Sequence, residues 1–338
     1  MFLIRSAARR DAPAVLALAR HLNSYNLPAD PGAVRALLAD SERSFRGARI
    51  PDEKRRYLFV AEEIPSGKVV GSSLIIARHG TPKLPHLSFR LADESKRSAT
   101  LGKTVKHRTL RLEASHRGFT EIGGLALLPS HRGHAEKIGK QLSYARFAFM
   151  ARRRAAFCPR VLVEYLPVLE PGKGNALWDA LGAVFTELSY AKADRLSAEN
   201  KEFILSLFPR EKIYAGLLPL KARKHLGVPG RGAQASLALL ERIGFRFLGQ
   251  IDPFDGGPHY GAELKKIPLV RRTARGRYAG SAMPGENAPQ RLVMTQKNGV
   301  LRACVARIAS KRGGIYLPKD EARALRLAPG DAVTLTPF

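Results

Sequence analysis

Apolar positions recur along this chain in short, regular blocks, and their spacing sets out the elements. Phe2, Leu3 and Ile4 open a first strand, and Val15, Leu16, Leu18 and Ala19 mark one face of a helix that starts behind Asp11. A second helix is expected across Ala33 to Phe45. The runs YLFVAEE (57–63) and VVGSSLIIA (69–77), joined through Pro65-Ser66-Gly67, predict a hairpin, so antiparallel pairing begins the sheet. From His79 to Gly118 the pattern turns polar and turn-rich, with short strand candidates at 87–91 and 109–114. A substrate-facing insertion is expected there.

The central stretch, TEIGGLALLPSHRGHAEKIGKQLSYARFAFM (120–150), predicts an apolar strand (Ile122, Leu125, Leu127), a Pro129-Ser130 turn, and a helix with Ile138, Leu142, Ala145 and Phe149 on one face. VLVEYLPV (161–168) reads as a buried strand with Glu164 inside it. Asn175 to Ala183 predicts a short helix ended by Gly182, and Glu199 to Phe208 another before Pro209. SLALLERIGFRFLGQID (236–252) then gives helix, Gly244, strand. The likeness of NALWDALGAVF to LALLERIGFRF suggests an internal duplication, with a second half from about residue 160. Residues 271–290, rich in Gly, Ala and Pro without apolar period, are the linker candidate. Beyond them RLVMTQ, LRACVARIA, GGIYLP and AVTLTPF read as four short strands, with a brief helix from Lys319 to Leu327. The expected organisation is a main domain over 1–270, a linker over 271–290 and a small β-rich domain over 291–338.

With 338 residues, 45% of them apolar, the chain can bury a proper core. Lys and Arg number 57 against 29 Asp and Glu, a formal charge of +28, which suits either an anionic ligand or a solvated basic surface. Cys158 and Cys304 stand alone, so neither a disulfide framework nor a cysteine metal site is indicated, and a reducing cytoplasm fits. No apolar run approaches the roughly 20 residues of a membrane span, and MFLIRSAARRDAP lacks a signal peptide's apolar region, so a soluble, unexported protein is expected. The nine histidines fall at no metal-ligand spacing, and a metal-independent enzyme is expected. Arg152-Arg153-Arg154 and Lys265-Lys266 with Arg271-Arg272 are basic clusters without an aromatic stacking platform. A nucleic-acid binder is thus the lesser alternative.

A basic turn feeding a helix can hold phosphate, because the first helical amides lack partners within the helix and carry its positive dipole end. Arg132 to Lys137 supplies donors and cations together, which suits a pyrophosphate; a solvated helix cap is the alternative. The R-x-x-A-x-K turn (Arg132, Ala135, Lys137), with its preceding hairpin, following buried strand and the helix ending in Leu181-Gly182, resembles the acyl-CoA N-acyltransferase (GNAT) superfamily. Residues 119–150, LWDALG (177–182), SYAKADRLS through NKEFILSLFPREKIY (189–214) and above all IGFRFLGQIDPFDGGP (243–258) resemble the arginine N-succinyltransferase family. The likeness covers nearly the whole chain and is weakest at 28–118.

The resemblance implies an α/β (α+β) fold: a GNAT-like mixed, mostly antiparallel sheet flanked by helices. It implies transfer of succinyl from succinyl-CoA to the α-amine of L-arginine, the first step of arginine catabolism by this route, with ornithine, a polyamine or a protein amine as other acceptors. Leu125, Ala126 and Leu127 would then pair with the pantetheine arm, the Leu125 amide polarising the thioester carbonyl. Arg132, Gly133, Ala135 and Lys137 would take the pyrophosphate, with Ala135 and Lys137 standing where the superfamily has small, glycine-type residues. Arg90 matches a Tyr-Arg pattern of the family and would meet the succinyl carboxylate, or else make a surface salt bridge. Glu164 is the candidate base for the amine, directly or through water. It could instead grip the guanidinium or ammonium, or be a buried structural carboxylate. The loop that aligns with the family's proton-donating histidine reads Gly227-Val228-Pro229-Gly230-Arg231; His225 is the nearest substitute, or a solvated side chain. Asp255 in FDGGP would orient substrate, or simply build a tight turn. Some family enzymes pair two related chains, so a homodimer or such a pair is expected.

Overall fold

A computed structural model describes residues 1–22, 26–168, 175–311 and 313–338. Strand β1 (Phe2–Ser6) leads into helix α1 (Ala12–Leu22), and α2 (Pro31–Phe45) starts where the Asp30 carboxylate accepts from the Ala33 amide at 2.7 Å. That cap, with Pro31 in the first turn, begins the helix two residues ahead of its apolar period. The expected hairpin is β2 (Arg56–Glu63) with β3 (Val69–His79), in antiparallel register from Arg56 opposite Ile76. Next come β4 (His86–Ser98) and β5 (Lys103–Ser115), β6 (Phe119–Leu127), α3 (Ile138–Arg152) and β7 (Arg160–Glu164). Later strands are β8 (Ile213–Tyr214), β9 (Arg246–Ile251), β10 (Pro258–Glu263), β11 (Ala274–Ser281), β12 (Gln290–Lys297), β13 (Val300–Arg307), β14 (Ala309–Lys311), β15 (Gly314–Leu317) and β16 (Ala332–Pro337).

These elements form two compact units. The first comprises Met1–Arg78, Thr120–Val161 and Glu263–Phe338. Its strands run in the order β14-β15-β11-β16-β12-β13-β1-β2-β3-β6, antiparallel in the registers described except for β11 beside β15. The C-terminal strands therefore extend the N-terminal sheet through β13 and β1, with Ile4 opposite Ala303, so that they share a unit with residues 1–78 rather than hanging apart. The stretch read as a linker holds β11, paired to β16 from Ala274 opposite Leu335. Its Gly276 and Gly280 hid the strand from an apolar count. On one side the helices cover Val15, Leu18, Leu37, Leu58, Val60 and Leu74; the C-terminal strands and the helix Lys319–Leu325 enclose Val293, Cys304, Leu317 and Leu325. Helix α3 is buried almost all round, Phe149 meeting Phe45, Tyr57 and Phe59.

The second unit comprises His79–Phe119 and Leu162–Ala262, with strand order β7-β10-β9-β4-β5-β8. Residues 79–118 are less irregular than their polarity suggested: β4 and β5 pair over thirteen positions, from His86 opposite Ser115 to Ser98 opposite Lys103. Only the first few residues of β4 are buried, and the outer half is exposed on both faces, so no alternation marks it. The suspected duplication divides at its two glycines. Gly244 (φ +100) ends the helix Gln234–Glu241 and releases β9, a left-handed position that favours glycine. Gly182 instead has helical φ −60 and gives way to the Trp178 ring, which any side chain there would overlap; helix continues to Thr186 and no strand follows. Trp178 stacks on Phe254 (centroids 4.7 Å, planes 6° apart) at the centre of this core.

Candidate active site

In the first unit, β6 is fitted closely to β3. Gly71 has no room for a side chain against Leu127, Leu142 and the Ala126 carbonyl, Ser72 Oγ donates to the Gly124 carbonyl at 3.0 Å, and the Leu128 amide bonds to Val70 O at 2.9 Å. Gly124 takes φ +57 in mid-strand, an irregularity that turns the strand just before Leu125. Leu125 and Leu127 are half-buried and Ala126 is buried. Behind them Pro129–His131 forms a single 3-10 turn, and every residue from Arg132 to Lys137 is exposed.

The basic turn has a definite shape. Arg132 is extended, Gly133 is left-handed at φ +73 with open space around it, and the Lys137 amide bonds to His134 O at 2.8 Å. Lys137, where a small residue was expected, holds φ 53, a conformation glycine adopts freely and lysine at a cost of about 1 kcal/mol. The glycine-type backbone is thus kept without the glycine. The Gln141 amide bonds to Lys137 O, so the amides of Ile138, Gly139 and Lys140 precede the first intrahelical bond at the dipole's positive end. Amides, Arg132 and Lys137 together suit a diphosphate. A separate cavity of about 450 Å³ lined by Arg10, Arg46, Arg302 and Arg326 includes none of these residues.

Two buried charges in this unit escaped the sequence reading. Glu121 on β6 accepts from Asn26 Nδ2 at 2.5 Å, and Arg146 on α3 donates to Ser143 Oγ at 2.9 Å and to Gly123 O at 3.4 Å. A charge set among apolar residues of a strand or helix was the available signal.

In the second unit Glu164 closes β7, and three histidines surround it. His86 Nδ1 lies 3.4 Å, His259 Nε2 3.8 Å and His79 Nε2 3.9 Å from Glu164 Oε1, while His79 Nε2 and His86 Nδ1 are 3.1 Å apart. His86 and His259 are buried; His79 and Glu164 are partly exposed. None of the three histidines was singled out from the sequence, because 79, 86 and 259 lie on β3, β4 and β10. The histidine that was, His225, follows the helix Leu220–Arg223 and caps a turn through its carbonyl to Val228 N.

Arg90 and Asp255 are already engaged. Arg90 forks onto Glu113 at 3.2 and 3.0 Å and donates to Leu248 O at 2.8 Å, a cross-strand ion pair on β4 and β5. Asp255 lies in a self-contained turn: Asp252 Oδ1 accepts from the amides of Phe254 and Asp255, and Asp255 Oδ1 accepts from Gly257 N at 2.7 Å. Gly256 is left-handed at φ +79, and a side chain at Gly257 would overlap the Tyr165 carbonyl. The turn also holds the 227–231 loop, since Gly227 N bonds to Gly256 O at 2.8 Å. Burial, then the neighbouring Asp252 charge, pushes the Asp255 carboxyl well above the usual carboxylate range. Asp252 and Asp194 are raised as well, each by burial first.

A mixed, mostly antiparallel sheet carrying a strand, basic turn and buried helix is the arrangement of an acyl-CoA-dependent N-acyltransferase. A family profile described as arginine N-succinyltransferase beta subunit matches residues 2–269, and the chain belongs to that family. The chain is 30% identical to the arginine N-succinyltransferase subunit beta of Pseudomonas aeruginosa, over 99% of this chain and 98% of that one. It is also 30% identical to the arginine N-succinyltransferase of Citrobacter koseri, over 99% and 97%. The solved structure of arginine/ornithine succinyltransferase subunit AI from Pseudomonas aeruginosa superposes with a TM-score of 0.81 at 27% identity, covering 99% of this chain and 98% of that one. Among the described residues no helix is long and apolar enough to cross a membrane.

Proposed function

We propose that this protein transfers succinyl from succinyl-CoA to the α-amine of L-arginine. The observation that carries this reading is the family match across residues 2–269, and an exposed basic turn with a left-handed Lys137 at the start of α3 supports it. Arg132 and the first amides of α3 take the pyrophosphate, and the Leu125–Leu127 edge takes the thioester arm, its amide favouring the oxyanion as the carbonyl is attacked. The acceptor's α-amine gives up its proton more readily than a lysine side chain, so a more modest base suffices. Glu164 is that base, and its imidazole neighbours pass the proton onward. Coenzyme A departs as thiolate, or its sulfur takes one proton, either from the attacking ammonium or from His225, the candidate donor. Arg90, already paired with Glu113, receives the succinyl carboxylate if that pair opens. Asp255 orients the acceptor through its turn rather than by contact. The free thiols of Cys158 and Cys304 fit a cytoplasmic setting, and the chain assembles with itself or with a related chain.

The test is thiol release from succinyl-CoA and acetyl-CoA, each offered arginine, ornithine and lysine. Succinyl-CoA with arginine should turn over fastest, and silence with every acceptor would sink the proposal. Ornithine is the second reading, because the superposed Pseudomonas structure carries that amino acid in its name. Light scattering at several concentrations reads the assembly.

A further inference from the structure

The cluster around Glu164 has the geometry of a metal site. Tetrahedral zinc binds imidazole nitrogen and carboxylate oxygen at about 2.0–2.2 Å, which places neighbouring ligand atoms about 3.3–3.5 Å apart. The three edges here, His79 Nε2 to His86 Nδ1, His86 Nδ1 to Glu164 Oε1 and His79 Nε2 to Glu164 Oε1, measure 3.1, 3.4 and 3.9 Å. They bracket that spacing. We propose that His79, His86 and Glu164 bind one zinc ion through these atoms, in a site that belongs to this chain's own side chains and does not depend on the transferase reading. His259 borders it, with Nε2 3.8 Å from the same carboxylate oxygen, and Glu164, Asp252 and His259 form a second, overlapping group of potential ligands.

The chain holds these donors in place without a metal. His79 and His86 are the two ends of a six-residue loop, and Gly80 (φ +82) lets the strands approach so closely that a side chain there would press on His86 Cβ and Ser115 O. Pro82 and Pro85 stiffen the loop, and Thr81 and Leu84 close it with two bonds, Thr81 N to Leu84 O at 2.9 Å and Leu84 N to Thr81 Oγ1 at 3.1 Å. Phe119 packs edge-on against the His86 ring at 5.1 Å, fixing its plane. Across the sheet, Tyr165 N bonds to Pro258 O at 3.2 Å, which sets Glu164 beside His259. Two imidazoles with one carboxylate select a borderline ion over Mg²⁺ or Ca²⁺, which favour all-oxygen shells. The partial exposure of His79 and Glu164 leaves an entry path.

The test uses full-length protein without a polyhistidine tag, stripped with a chelator and then titrated with Zn²⁺ by calorimetry and with Co²⁺ by visible absorption. One equivalent of Zn²⁺, a rise in melting temperature, and the intense bands of tetrahedral Co²⁺ are expected. His79→Ala and Glu164→Gln should each weaken Zn²⁺ at least tenfold and abolish the Co²⁺ bands, with circular dichroism unchanged; His116→Ala, on an exposed residue, should bind as the parent does. No saturable binding, or full one-to-one binding by His79→Ala, overturns the proposal. Because binding is read without turnover, its failure is separate from that of the transferase reading. Where Glu164 does serve transfer, zinc at this site inhibits it.

Discussion

Two glycine-containing turns of this protein follow opposite rules. The turn from Arg132 to Lys137 is exposed throughout, its cations with it, and Gly133 has nothing within 4 Å of where a side chain would grow. The turn Asp252 to Pro258 is spent on itself: both aspartates accept from its own amides, Phe254 is stacked on Trp178, and Gly257 lies against the Tyr165 carbonyl. The second is completed by the protein, whereas the first leaves its cations and the space around its glycine open. FDGGP was the most specific string in the sequence, yet its residues serve the architecture that carries Glu164 and His259. Chemical opportunity lies where hydrogen-bonding capacity is left over, and a distinctive string does not measure that.

This contrast can be broken at several points. Gly257→Ala should be the most damaging change, about 3 kcal/mol or more by urea denaturation, because a methyl there meets a buried carbonyl that the β7 and β10 pairing holds fixed. Arg132→Ala should leave the melting temperature unchanged and raise the KM for succinyl-CoA by roughly ten- to a hundredfold, the loss of one charge-assisted phosphate contact worth about 1.5–3 kcal/mol. An unchanged KM would remove the turn from coenzyme binding. Gly133→Ala should cost only about 1 kcal/mol, as backbone strain without a clash, and Lys137→Gly should return up to about 1 kcal/mol by relieving the strain at φ 53.

The smallest effect concerns pH. Asp194, Asp252 and Asp255 have carboxyl pKa values raised by burial, with the Asp252 charge adding to it at Asp194 and Asp255, so the folded protein favours their protonated forms. Their contribution to stability is greatest below the unfolded value of about 3.9 and is lost as pH rises through the raised folded values. Asp194→Asn should therefore stabilise slightly at pH 7, where the group is partly exposed and screened, and make no difference near pH 3. A gain that persists at low pH would point away from charge.

Much of the fold was legible because it rests on local rules. The hairpin of β2 and β3, the strand and helix around the basic turn, and the four C-terminal strands follow from apolar spacing and turn residues, and the sense of the Arg132 turn follows from charge next to a helix start. Local rules ran out where a residue's meaning depends on a partner far along the chain. Gly182 and Gly244 sit in similar words, but one makes room for an indole and the other ends a helix. The C-terminal strands looked like an appendage because nothing in their sequence names β1 as their neighbour.

The sequence by itself therefore determined the family, most of the elements and the cationic character of one turn at a helix start, since periodicity, capping and charge are read over a few residues. Only the tertiary structure decided that His79, His86 and His259 stand around Glu164 and that Arg90 is held by Glu113. His86 and His259 reach Glu164 because β4, β10 and β7 share one sheet, and Arg90 reaches Glu113 because β4 pairs with β5. Backbone pairing between distant strands brings together side chains whose separation along the chain carries no trace of it.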